Sequence, residues 1–299
     1  MRTMELASSN GVDPSEFVSA NGFELPPAAE LAPAALFGVR GKVCLVTGGG
    51  SGIGAMIAAG LCAGGATVIV CGRKDASSLA AALTRAGPGT CAAVVADITD
   101  EVSRAALLAE IATSHGKLHV LVNNSGTNWR EPLASYPVKA WRKVMELNVE
   151  AVFALSRSAA PLLRAAATRV DPARVVNIGS IEGVSTPPHE TFAYSVSKAA
   201  VLQLSRLLAH ALADAERPIT VNTVLPGPFP SKMMRHTISA VGEAALADST
   251  ELGRIGRPHD MAGAVVYLAS PAAAWVTGAQ IVVDGGCIVR PQLSMSARM

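Results

Sequence analysis

The sequence predicts an α/β fold in which a seven-stranded, mostly parallel sheet carries helices on both faces. From Lys42 onward, short apolar segments rich in β-branched residues alternate with longer helical segments. Strands that are apolar along their whole length are typical of parallel sheets covered by helices on both sides. Half of the 299 residues are apolar and 16% are charged, so the chain can bury one sizeable core as a single domain.

Each predicted strand is one of these apolar segments, and several of them end in polar residues. The predicted strands are 43–47, 67–71, 92–96, 119–122, 174–178, 219–224 and 280–283. A helix follows the first strand, because Ile53, Ile57 and Leu61 share one helical face. Further helices are predicted at 101–114, 138–165 and 195–215. Ligands bind outside the carboxyl ends of parallel strands, so the polar residues there are the candidates for a site.

Both ends of the chain lack this alternation. Residues 1–38 contain five acidic residues and one basic residue, with Asn-Gly, Asp-Pro and Pro-Pro pairs that break regular structure. We predict an irregular N-terminal extension at 1–38, one domain at 39–290 and a C-terminal tail at 291–299. The N-terminus shows no basic region followed by an apolar core, so we expect no secretory signal.

The composition argues against several classes of partner and site. A formal net charge of +2 gives no basis for binding nucleic acid or an anionic membrane. Residues 43–72 carry no charge, but nine glycines divide them, which fits a buried strand, turn, helix and strand better than a membrane span. Five cysteines without CxxC or Cys/His spacing indicate free, mostly buried thiols and no metal site; a disulfide or zinc site is the weaker alternative.

A glycine-rich turn connects the first strand to the first helix. Residues 47–54 read TGGGSGIG, and such glycines let the backbone turn sharply and approach a ligand closely. The helix N-terminus that follows offers free N–H groups to a phosphate. A strand before and a helix after are the context that a dinucleotide-binding turn requires, whereas a merely tight turn is the alternative. The predicted cofactor-binding residues here are Gly48, Ser51, Gly52, Ile53 and Gly54.

The end of the second strand indicates which nicotinamide cofactor this turn would bind. An acidic residue at this position holds the ribose 2′-hydroxyl of NAD. Here the strand ends in Cys71-Gly72-Arg73-Lys74, and a guanidinium suits a 2′-phosphate that a carboxylate would repel. We therefore predict NADP(H) with Arg73 as a ligand; a solvated basic loop is the alternative.

Four motifs together resemble the fingerprint of the short-chain dehydrogenase/reductase family. They are TGxxxGxG at 47–54, NNSG at 123–126, YxxxK at 194–198, and Pro226-Gly227 followed by Ser231. The family has alanine and threonine where this chain has Ser125 and Ser231. The resemblance covers about 42–289 and implies a single Rossmann-type, doubly wound domain. Within the family, the chain is most similar to the NADPH-dependent 3-oxoacyl (β-ketoacyl) reductases of rhamnolipid type, over the segments 123–129, 135–138, 144–149 and 226–233.

The resemblance also implies a catalytic group, whose members are Asn148, Ser180, Tyr194 and Lys198. In reduction, Tyr194 would donate the proton and Ser180 would hydrogen-bond the substrate carbonyl. Lys198 would hold the ribose hydroxyls, and Asn148 would support a water chain to Lys198. Tyr194 and Lys198 are four residues apart and share a helix face, so the ammonium should lower the pKa of the tyrosine. Without the resemblance, Asn148 and Ser180 are better interpreted as a helix-interior residue and a turn residue.

Further cofactor contacts are implied at the ends of other strands. Asp97 follows the third strand, where the family holds the adenine; it alternatively caps the next helix, or does both. The remaining implied cofactor residues are Asn124, Pro226, Gly227 and Ser231, together with Tyr194 and Lys198 of the catalytic group.

These inferences predict an NADP(H)-dependent reductase that acts on a ketone or a 3-oxoacyl substrate, so its partner is a small carbonyl/alcohol molecule. A dehydrogenase of a sterol, sugar or secondary alcohol is the nearer alternative. A non-catalytic NADP-sensing protein is an alternative of another class, which the presence of Tyr194 and Lys198 disfavours. His189 and Glu190 are expected in a surface loop rather than in an acid/base or metal pair. The residues expected to line the substrate pocket are Trp129, Phe229, Met233 and Met234.

The resemblance implies a homo-oligomer, a tetramer or a dimer, paired through 138–165 and 195–215. Alanines such as Ala159, Ala160 and Ala166 would allow close approach, or would pack within one subunit. We expect a cytoplasmic protein. The C-terminal residues 297–299, Ala-Arg-Met, resemble a peroxisomal signal, which is the alternative in a eukaryote.

Overall fold

A parallel sheet of seven strands forms the centre of the computed structural model, which describes residues 26–187 and 189–290 apart from the side chains of 235–237. The strands are β1 Val43–Thr47, β2 Thr67–Gly72, β3 Thr90–Val95, β4 Val120–Asn123, β5 Ala173–Ile178, β6 Ile219–Pro226 and β7 Gln280–Val283. Their order is β3-β2-β1-β4-β5-β6-β7, with every neighbouring pair parallel. The doubly wound, seven-stranded prediction is therefore confirmed. The order reverses between β1 and β4, where such sheets form a ligand crevice.

Helices cover both faces of this sheet. They are α1 Ala28–Leu31, α2 Pro33–Leu36, α3 Gly52–Ala63, α4 Ser77–Ala86, α5 Glu101–His115, α6 Val138–Met145, α7 Ala151–Ala166, α8 Phe192–Ala211, α9 Lys232–Val241, α10 Glu243–Ala247 and α11 Pro258–Ala269. Short 3-10 turns lie at Leu133–Ser135, Ile181–Gly183 and Pro271–Ala273. The predicted helix 138–165 comprises α6 and α7 with a π-helical segment, Glu146–Glu150, between them.

The strands supply two apolar cores, one on each face of the sheet, because successive side chains of a strand point to opposite faces. Leu45 and Leu121 pack with Leu155 on the face covered by α5 and α7. Cys44 packs with Ile57 on the face covered by α3 and α11. Each fully buried leucine or isoleucine contributes roughly 1.5–3 kcal/mol. Two cores on one sheet explain why the strands are apolar along their whole length.

Residues 43–72 form β1, the glycine turn, α3 and β2, as predicted. All five cysteines are free thiols. Cys44, Cys62 and Cys71 are buried, which confirms their interpretation as small buried side chains, whereas Cys91 and Cys287 are partly exposed. Within 26–187 and 189–290, no helix has the length and apolarity that crossing a membrane requires.

Part of the predicted extension lies against the domain. Residues 28–36 form α1 and α2 inside the segment that was expected to be irregular. The Phe37 ring follows, 6.4 Å from the ring of Tyr267 on α11, and Val39 is buried. Residues 1–25 and the tail 291–299 lie outside the described residues.

The amino-terminal edge of the sheet holds paired charges, and we call this set the amino-edge cluster: Lys42, His119, Asp171 and Arg174. Lys42 Nζ lies 2.7 Å from Asp171 Oδ2, and Arg174 Nη1 lies 2.6 Å from Asp171 Oδ1. Arg174 is 1% exposed, and its Nη2 donates to the Ser270 carbonyl at 2.9 Å. His119 Nδ1 accepts the Val43 amide at 2.9 Å, and burial lowers the pKa of His119 to about 4. These contacts fix the starts of β1, β4 and β5.

Candidate active site

The glycine turn lies at the opposite, carboxyl edge of the sheet and begins α3. Gly48 and Gly52 have φ angles of +63° and +55°, which favour glycine. Gly54 is required for a different reason: a Cβ there would lie 2.3 Å from the Gly48 carbonyl oxygen. The backbone of this turn therefore follows a path that a side chain at Gly54 would block.

Asn124 fixes the turn to the end of β4. Its Nδ2 donates to the Thr47 carbonyl at 2.8 Å, while Thr47 Oγ1 accepts the amides of Asn124 and Ser125 at 3.0 and 2.9 Å. The ends of β1 and β4 are thus held together at the crevice. This bonding gives Asn124 a structural task at the place where the sequence predicts a cofactor contact.

A cleft of about 410 Å³ separates the turn from the start of α9. It is lined by Ser51, Gly52, Pro230, Ser231, Lys232, Ile238 and Ser239. Ser231 Oγ accepts the Met234 amide at 3.2 Å and so caps α9. The N-termini of α3 and α9 both lie at this cleft, and helix N-termini favour anions. The cleft and the glycine turn suit the diphosphate of a dinucleotide.

Two charged residues lie at the ends of β2 and β3 beside the turn. Arg73 follows β2 and is exposed. Asp97 Oδ1 accepts the amide and the hydroxyl of Thr99 at 3.0 and 2.7 Å. These bonds, with a smaller contribution from the Arg73 charge, hold the pKa of Asp97 below its usual value. The cap of α5 is Asp100, which accepts the Ser103 amide at 2.7 Å, so the capping alternative for Asp97 is wrong.

Lys198 on α8 is buried beneath the crevice. Its Nζ donates to the Ile178 carbonyl at 2.7 Å and lies 5.5 Å from the centre of the Tyr194 ring. An ammonium has three donors, so this bond leaves two for other partners. Burial lowers the pKa of Lys198 to about 8, and the Glu182 carboxylate opposes that shift.

Tyr194 lies one turn before Lys198, and its pKa does not follow the prediction. Burial raises the pKa of the hydroxyl, the Glu182 charge raises it further, and hydrogen bonding with Ser180 lowers it. The expected lowering by Lys198 is therefore wrong for this structure. The physical reason is that desolvation of the phenolate outweighs an ammonium that is bonded to the Ile178 carbonyl. Tyr194 consequently carries its proton at neutral pH.

Asn148 is buried in the π-helical segment, where it joins three parts of the site. Its Oδ1 accepts the Thr127 amide and its Nδ2 donates to the Thr127 carbonyl, both at 2.9 Å. Nδ2 also donates to Ser197 Oγ at 2.9 Å. Gly126 faces the same space, since a Cβ there would lie 3.3 Å from Asn148 Oδ1 and 3.8 Å from Lys198 Nζ. Asn148 thus links the loop after β4 to α8 beside Lys198.

Ser180 follows β5 and completes the predicted set, which we call the carboxyl-edge group: Asn148, Ser180, Tyr194 and Lys198. Ser180 is buried, and its Oγ accepts the Glu182 amide at 3.1 Å. Sequence reasoning missed Glu182, whose Oε2 accepts the hydroxyls of Thr191 and Ser195 at 2.7 and 3.1 Å. The sequence shows its position two residues after Ser180, but it does not show that Thr191, before α8, and Ser195, on α8, are its partners.

The residues expected around the substrate divide into two groups. Trp129 and Met233 are 40% and 42% exposed near the crevice, and Met234 is partly buried. Phe229 is 2% exposed in the core beneath α11, and Gly256 packs so closely on its ring that a Cβ there would lie 2.4 Å away. Phe229 also lines a second cavity, of about 290 Å³, with Gly256 and Val283, and its contact with a substrate stays a prediction.

Pro226 ends β6 at the same edge, and Gly227 follows it. Pro226 pairs with Val283 of β7, and a Cβ on Gly227 would lie 2.7 Å from the Cα of Asp284. Ile53, in the first turn of α3, packs against the core below the glycine turn. All three predicted cofactor residues therefore have a packing role at the crevice.

The loop before α8 contacts the loop after β4. The Glu131 amide donates to the Glu190 carbonyl, and the Leu133 amide donates to Glu190 Oε1, each at 3.3 Å. His189 Nε2 lies 3.7 Å from Glu182 Oε1. Glu190 is exposed, as predicted for a surface loop. Across the described part of the chain, no three His, Cys, Asp or Glu side chains group as metal ligands would.

Known proteins with similar sequences are oxidoreductases. A family model described as enoyl-(acyl carrier protein) reductase matches residues 48–287. The rhamnolipids biosynthesis 3-oxoacyl-[acyl-carrier-protein] reductase of Pseudomonas aeruginosa is 46% identical over 253 residues, covering 84% of this chain and 97% of that protein. The galactitol 2-dehydrogenase (L-tagatose-forming) of Cereibacter sphaeroides is 38% identical, covering 85% of this chain and 98% of that protein.

Solved structures give the same result at the level of the fold. The Pseudomonas aeruginosa RhlG/NADP active-site complex superimposes with a TM-score of 0.80 and 43% identity, covering 84% of this chain and 98% of that one. The NADPH-dependent 3-quinuclidinone reductase of Rhodotorula rubra gives a TM-score of 0.77 at 27% identity, covering 85% of this chain and 94% of that one.

Proposed function

The chain belongs to the short-chain dehydrogenase/reductase family, and we propose that it is an NADPH-dependent reductase that converts a ketone or a 3-oxoacyl substrate into the hydroxy product. The observation that carries this proposal is the convergence of Ser180, Tyr194 and Lys198 at the carboxyl edge, next to the glycine turn. Grouped titratable side chains with shifted pKa values are typical of catalytic sites, which favours an enzyme over a non-catalytic sensor.

The residues at the crevice fit NADPH. The diphosphate would lie on the turn formed by Gly48, Ser51, Gly52, Ile53 and Gly54, opposite Ser231. Arg73 is exposed and would meet the 2′-phosphate, while Asp97 and Asn124 would contact the adenine and ribose side. Pro226 and Gly227 support the nicotinamide side, and Lys198 offers its two remaining donors to the ribose hydroxyls. When bound, NADPH supplies the hydride.

The carboxyl-edge group then has to bind and protonate the carbonyl oxygen. Ser180 Oγ accepts from the Glu182 amide, so its own O–H is directed to other acceptors, such as the carbonyl oxygen. Tyr194 holds its proton at neutral pH, which suits a general acid in reduction. Asn148 bonds both the loop after β4 and α8, and thereby fixes the position of this loop beside Lys198.

Oxidation of an alcohol is a second candidate function, which the similarity to a galactitol 2-dehydrogenase favours. An assay in both directions distinguishes it from the proposed reduction. The purified protein is assayed with NADPH and 3-oxoacyl thioesters or simple ketones, and with NADP⁺ and galactitol or secondary alcohols. We expect the larger kcat/KM with a 3-oxoacyl thioester. A larger kcat/KM for a polyol would replace the proposed function by the second candidate.

We also propose a homo-oligomer, a tetramer or a dimer, that pairs through α7 and α8. Phe153 on α7 and Val196 and Leu207 on α8 are 43%, 45% and 58% exposed, which leaves apolar surface on both helices. Ala159 is fully buried within the subunit, so it is not available for such a contact. Light scattering at micromolar concentration should give a mass at least twice the 30.6 kDa of the chain. A stable monomer would contradict this proposal.

The remaining assignments concern the ends of the chain and its compartment. We propose 39–290 as the domain and the cytoplasm as the compartment. The terminal residues 297–299 lie outside the described residues. A fluorescent reporter carrying the last twelve residues, expressed in a eukaryotic cell, tests the peroxisomal alternative.

A further inference from the structure

The 3-10 turn Ile181–Gly183 packs closely against α8. A Cβ on Gly183 would lie 2.9 Å from the carbonyl carbon of Lys198 and 3.0 Å from the amide nitrogen of Ala199. Glycine at this position therefore lets the turn touch the backbone of the helix that carries Tyr194 and Lys198. The turn begins directly after Ser180, so it joins the two halves of the carboxyl-edge group.

Glu182 forms the polar part of this contact. Its Oε2 accepts the hydroxyl of Thr191, the residue before α8, at 2.7 Å, and the hydroxyl of Ser195 at 3.1 Å. Its side chain is 19% exposed. The amide of Glu182 donates to Ser180 Oγ at 3.1 Å. Backbone and side chain of one residue thus contact both Ser180 and the first turn of α8.

The charge of Glu182 is not cancelled by a lysine or arginine. Its hydrogen-bond partners are neutral hydroxyls, and neither cation forms an ion pair with it within the described residues. The titratable groups that face it are His189, with Nε2 3.7 Å from Oε1, and Tyr194 and Lys198 on α8. Glu190 of the same loop points instead to the Leu133 amide.

We propose that Glu182 is a positioning residue of this active site, which ties the turn carrying Ser180 to the start of α8 and places a negative charge beside Tyr194 and Lys198. This inference rests on the proposed function. Its consequence follows from Coulomb attraction and repulsion, since a carboxylate favours an ammonium and disfavours a phenolate nearby. Accordingly, the Glu182 carboxylate raises the pKa of both Lys198 and Tyr194.

The charge is tested by a titration that needs no turnover. The protein is labelled with ¹³C at lysine Cε, and the signal of Lys198 is identified by its loss in Lys198→Arg. Glu182→Gln keeps the size and a hydrogen-bond acceptor but removes the charge, so the pKa of Lys198 should fall by about half a unit or more. Glu182→Asp keeps the charge, so its Lys198 pKa should lie close to the wild-type value. Glu110→Gln, an exposed residue on α5, is the matched control and should change nothing.

An unchanged Lys198 titration in Glu182→Gln overturns the inference, whatever the activity of the protein. The two hypotheses therefore fail separately: a wild-type protein that reduces no carbonyl removes the proposed function, and the titration still decides the role of Glu182. In an active protein, the pH profile of kcat should move to lower pH in Glu182→Gln, because removing the carboxylate lowers the pKa of both Tyr194 and Lys198.

Thr191→Val distinguishes the hydrogen-bonding role of Glu182 from the role of its charge. The substitution removes one hydroxyl bonded to Glu182 and leaves the carboxylate in place. It should lower kcat by about threefold to tenfold through misplacement of α8 relative to Ser180, with the Lys198 titration and the pH profile unchanged. A Thr191→Val protein with wild-type kcat contradicts the tethering role.

Discussion

The amino-edge cluster and the carboxyl-edge group both bury a cation, but they surround it differently. At the amino edge, each carboxylate oxygen of Asp171 meets a cation, at 2.7 Å from Lys42 and 2.6 Å from Arg174. At the carboxyl edge, Lys198 donates to a neutral carbonyl, and it forms no ion pair within the described residues. The nearby Glu182 carboxylate is bonded to hydroxyls instead.

This difference indicates that the amino edge stabilises the fold and that the carboxyl edge performs the chemistry. A buried cation that is paired with a carboxylate holds the elements that carry the two side chains in place, and removing it costs stability. A buried charge without a paired partner keeps free donors and a shifted pKa, which are the properties of a working site. Substitutions at the carboxyl edge should therefore reduce activity and spare stability, and those at the amino edge should do the reverse.

Tyr194→Phe should give the largest effect, on activity alone. The substitution removes one hydroxyl, and the loss of a general acid typically costs about 10²–10⁴-fold in rate. We expect kcat to fall by at least about a hundredfold, while Tm changes by less than about 2 °C and the NADPH Kd stays the same. Steady-state kinetics, thermal unfolding and fluorescence titration measure the three quantities. A variant that keeps more than about a tenth of the wild-type kcat would refute the assigned chemistry.

Arg174→Met should give the opposite pattern. It removes the partner of Asp171 Oδ1 and the donor to the Ser270 carbonyl from a site that is 1% exposed. Asp171 is 41% exposed and keeps its contact with Lys42, so the loss should lie below the cost of a charge left buried and unpaired. Urea unfolding should show a loss of about 1–3 kcal/mol, mainly because the Ser270 carbonyl loses its donor, with kcat at 25 °C within about twofold of wild type. Arg169→Met, an exposed residue before β5, is the control and should stay within about 0.5 kcal/mol. Equal stability of the two variants would remove the distinction between the edges.

Arg73→Asp should separate cofactor binding from catalysis at the carboxyl edge. We expect it to change the choice of cofactor and to leave stability, and kcat at a saturating cofactor concentration, unchanged. One charge-assisted contact is worth roughly 1.5–3 kcal/mol, so the preference for NADPH over NADH in kcat/KM should fall by about tenfold to a hundredfold. Lys74→Asp is the matched control one residue later. A larger effect from Lys74 would move the 2′-phosphate contact to that residue, and equal kcat/KM for both cofactors in the wild type would contradict the NADP assignment.

The strands could be predicted from the sequence because burial on both faces makes them apolar without interruption. The helices between β6 and β7 were not predicted: no apolar periodicity marks the start of α9 in the sequence, and α10 has five residues. The signal for α11 was present as Pro258 followed by Asp260, which accepts the Arg257 amide at 2.7 Å. Short helices depend on tertiary packing more than on their own sequence.

The site residues that belong to short sequence motifs could be predicted, and those defined by contacts between distant segments could not. The family resemblance implied that Ser180, Tyr194 and Lys198 form one group, and they lie together because Ser180 follows β5 and α8 packs against the turn that Ser180 begins. Glu182 was missed because its partners lie on a different element, and a loop carboxylate is ordinarily solvated. The core packing of Phe229 was not predicted, because an apolar residue after a strand can face either a cavity or the core. The predicted shift in the pKa of Tyr194 had the wrong direction, because sequence spacing shows the nearby ammonium but does not show the burial of the hydroxyl.

The smallest effect concerns the pH dependence of stability at the amino edge. His119 has a pKa of about 4 in the folded protein because it is partly buried beside Lys42, whereas an unfolded histidine titrates near 6.5. Between these values the unfolded chain binds a proton that the folded protein does not. Stability is therefore complete above pH 6.5 and is lost as the pH falls toward 4. Because the imidazole is partly solvated, we expect a loss of roughly 1–2 kcal/mol over that range.

His119→Gln isolates this contribution, since an amide oxygen still accepts the Val43 amide but does not titrate. Urea unfolding at pH 7 and pH 5 should show a smaller difference in the variant than in the wild type, by about 1 kcal/mol. His115→Gln, at the exposed end of α5, is the control and should leave the difference unchanged. Asp171 and Asp260, whose pKa values are lowered by their cationic partners, lose their stabilisation at still lower pH and cancel in the comparison. An identical pH dependence in His119→Gln and the wild type would mean that the paired charges alone set the acid sensitivity of this edge.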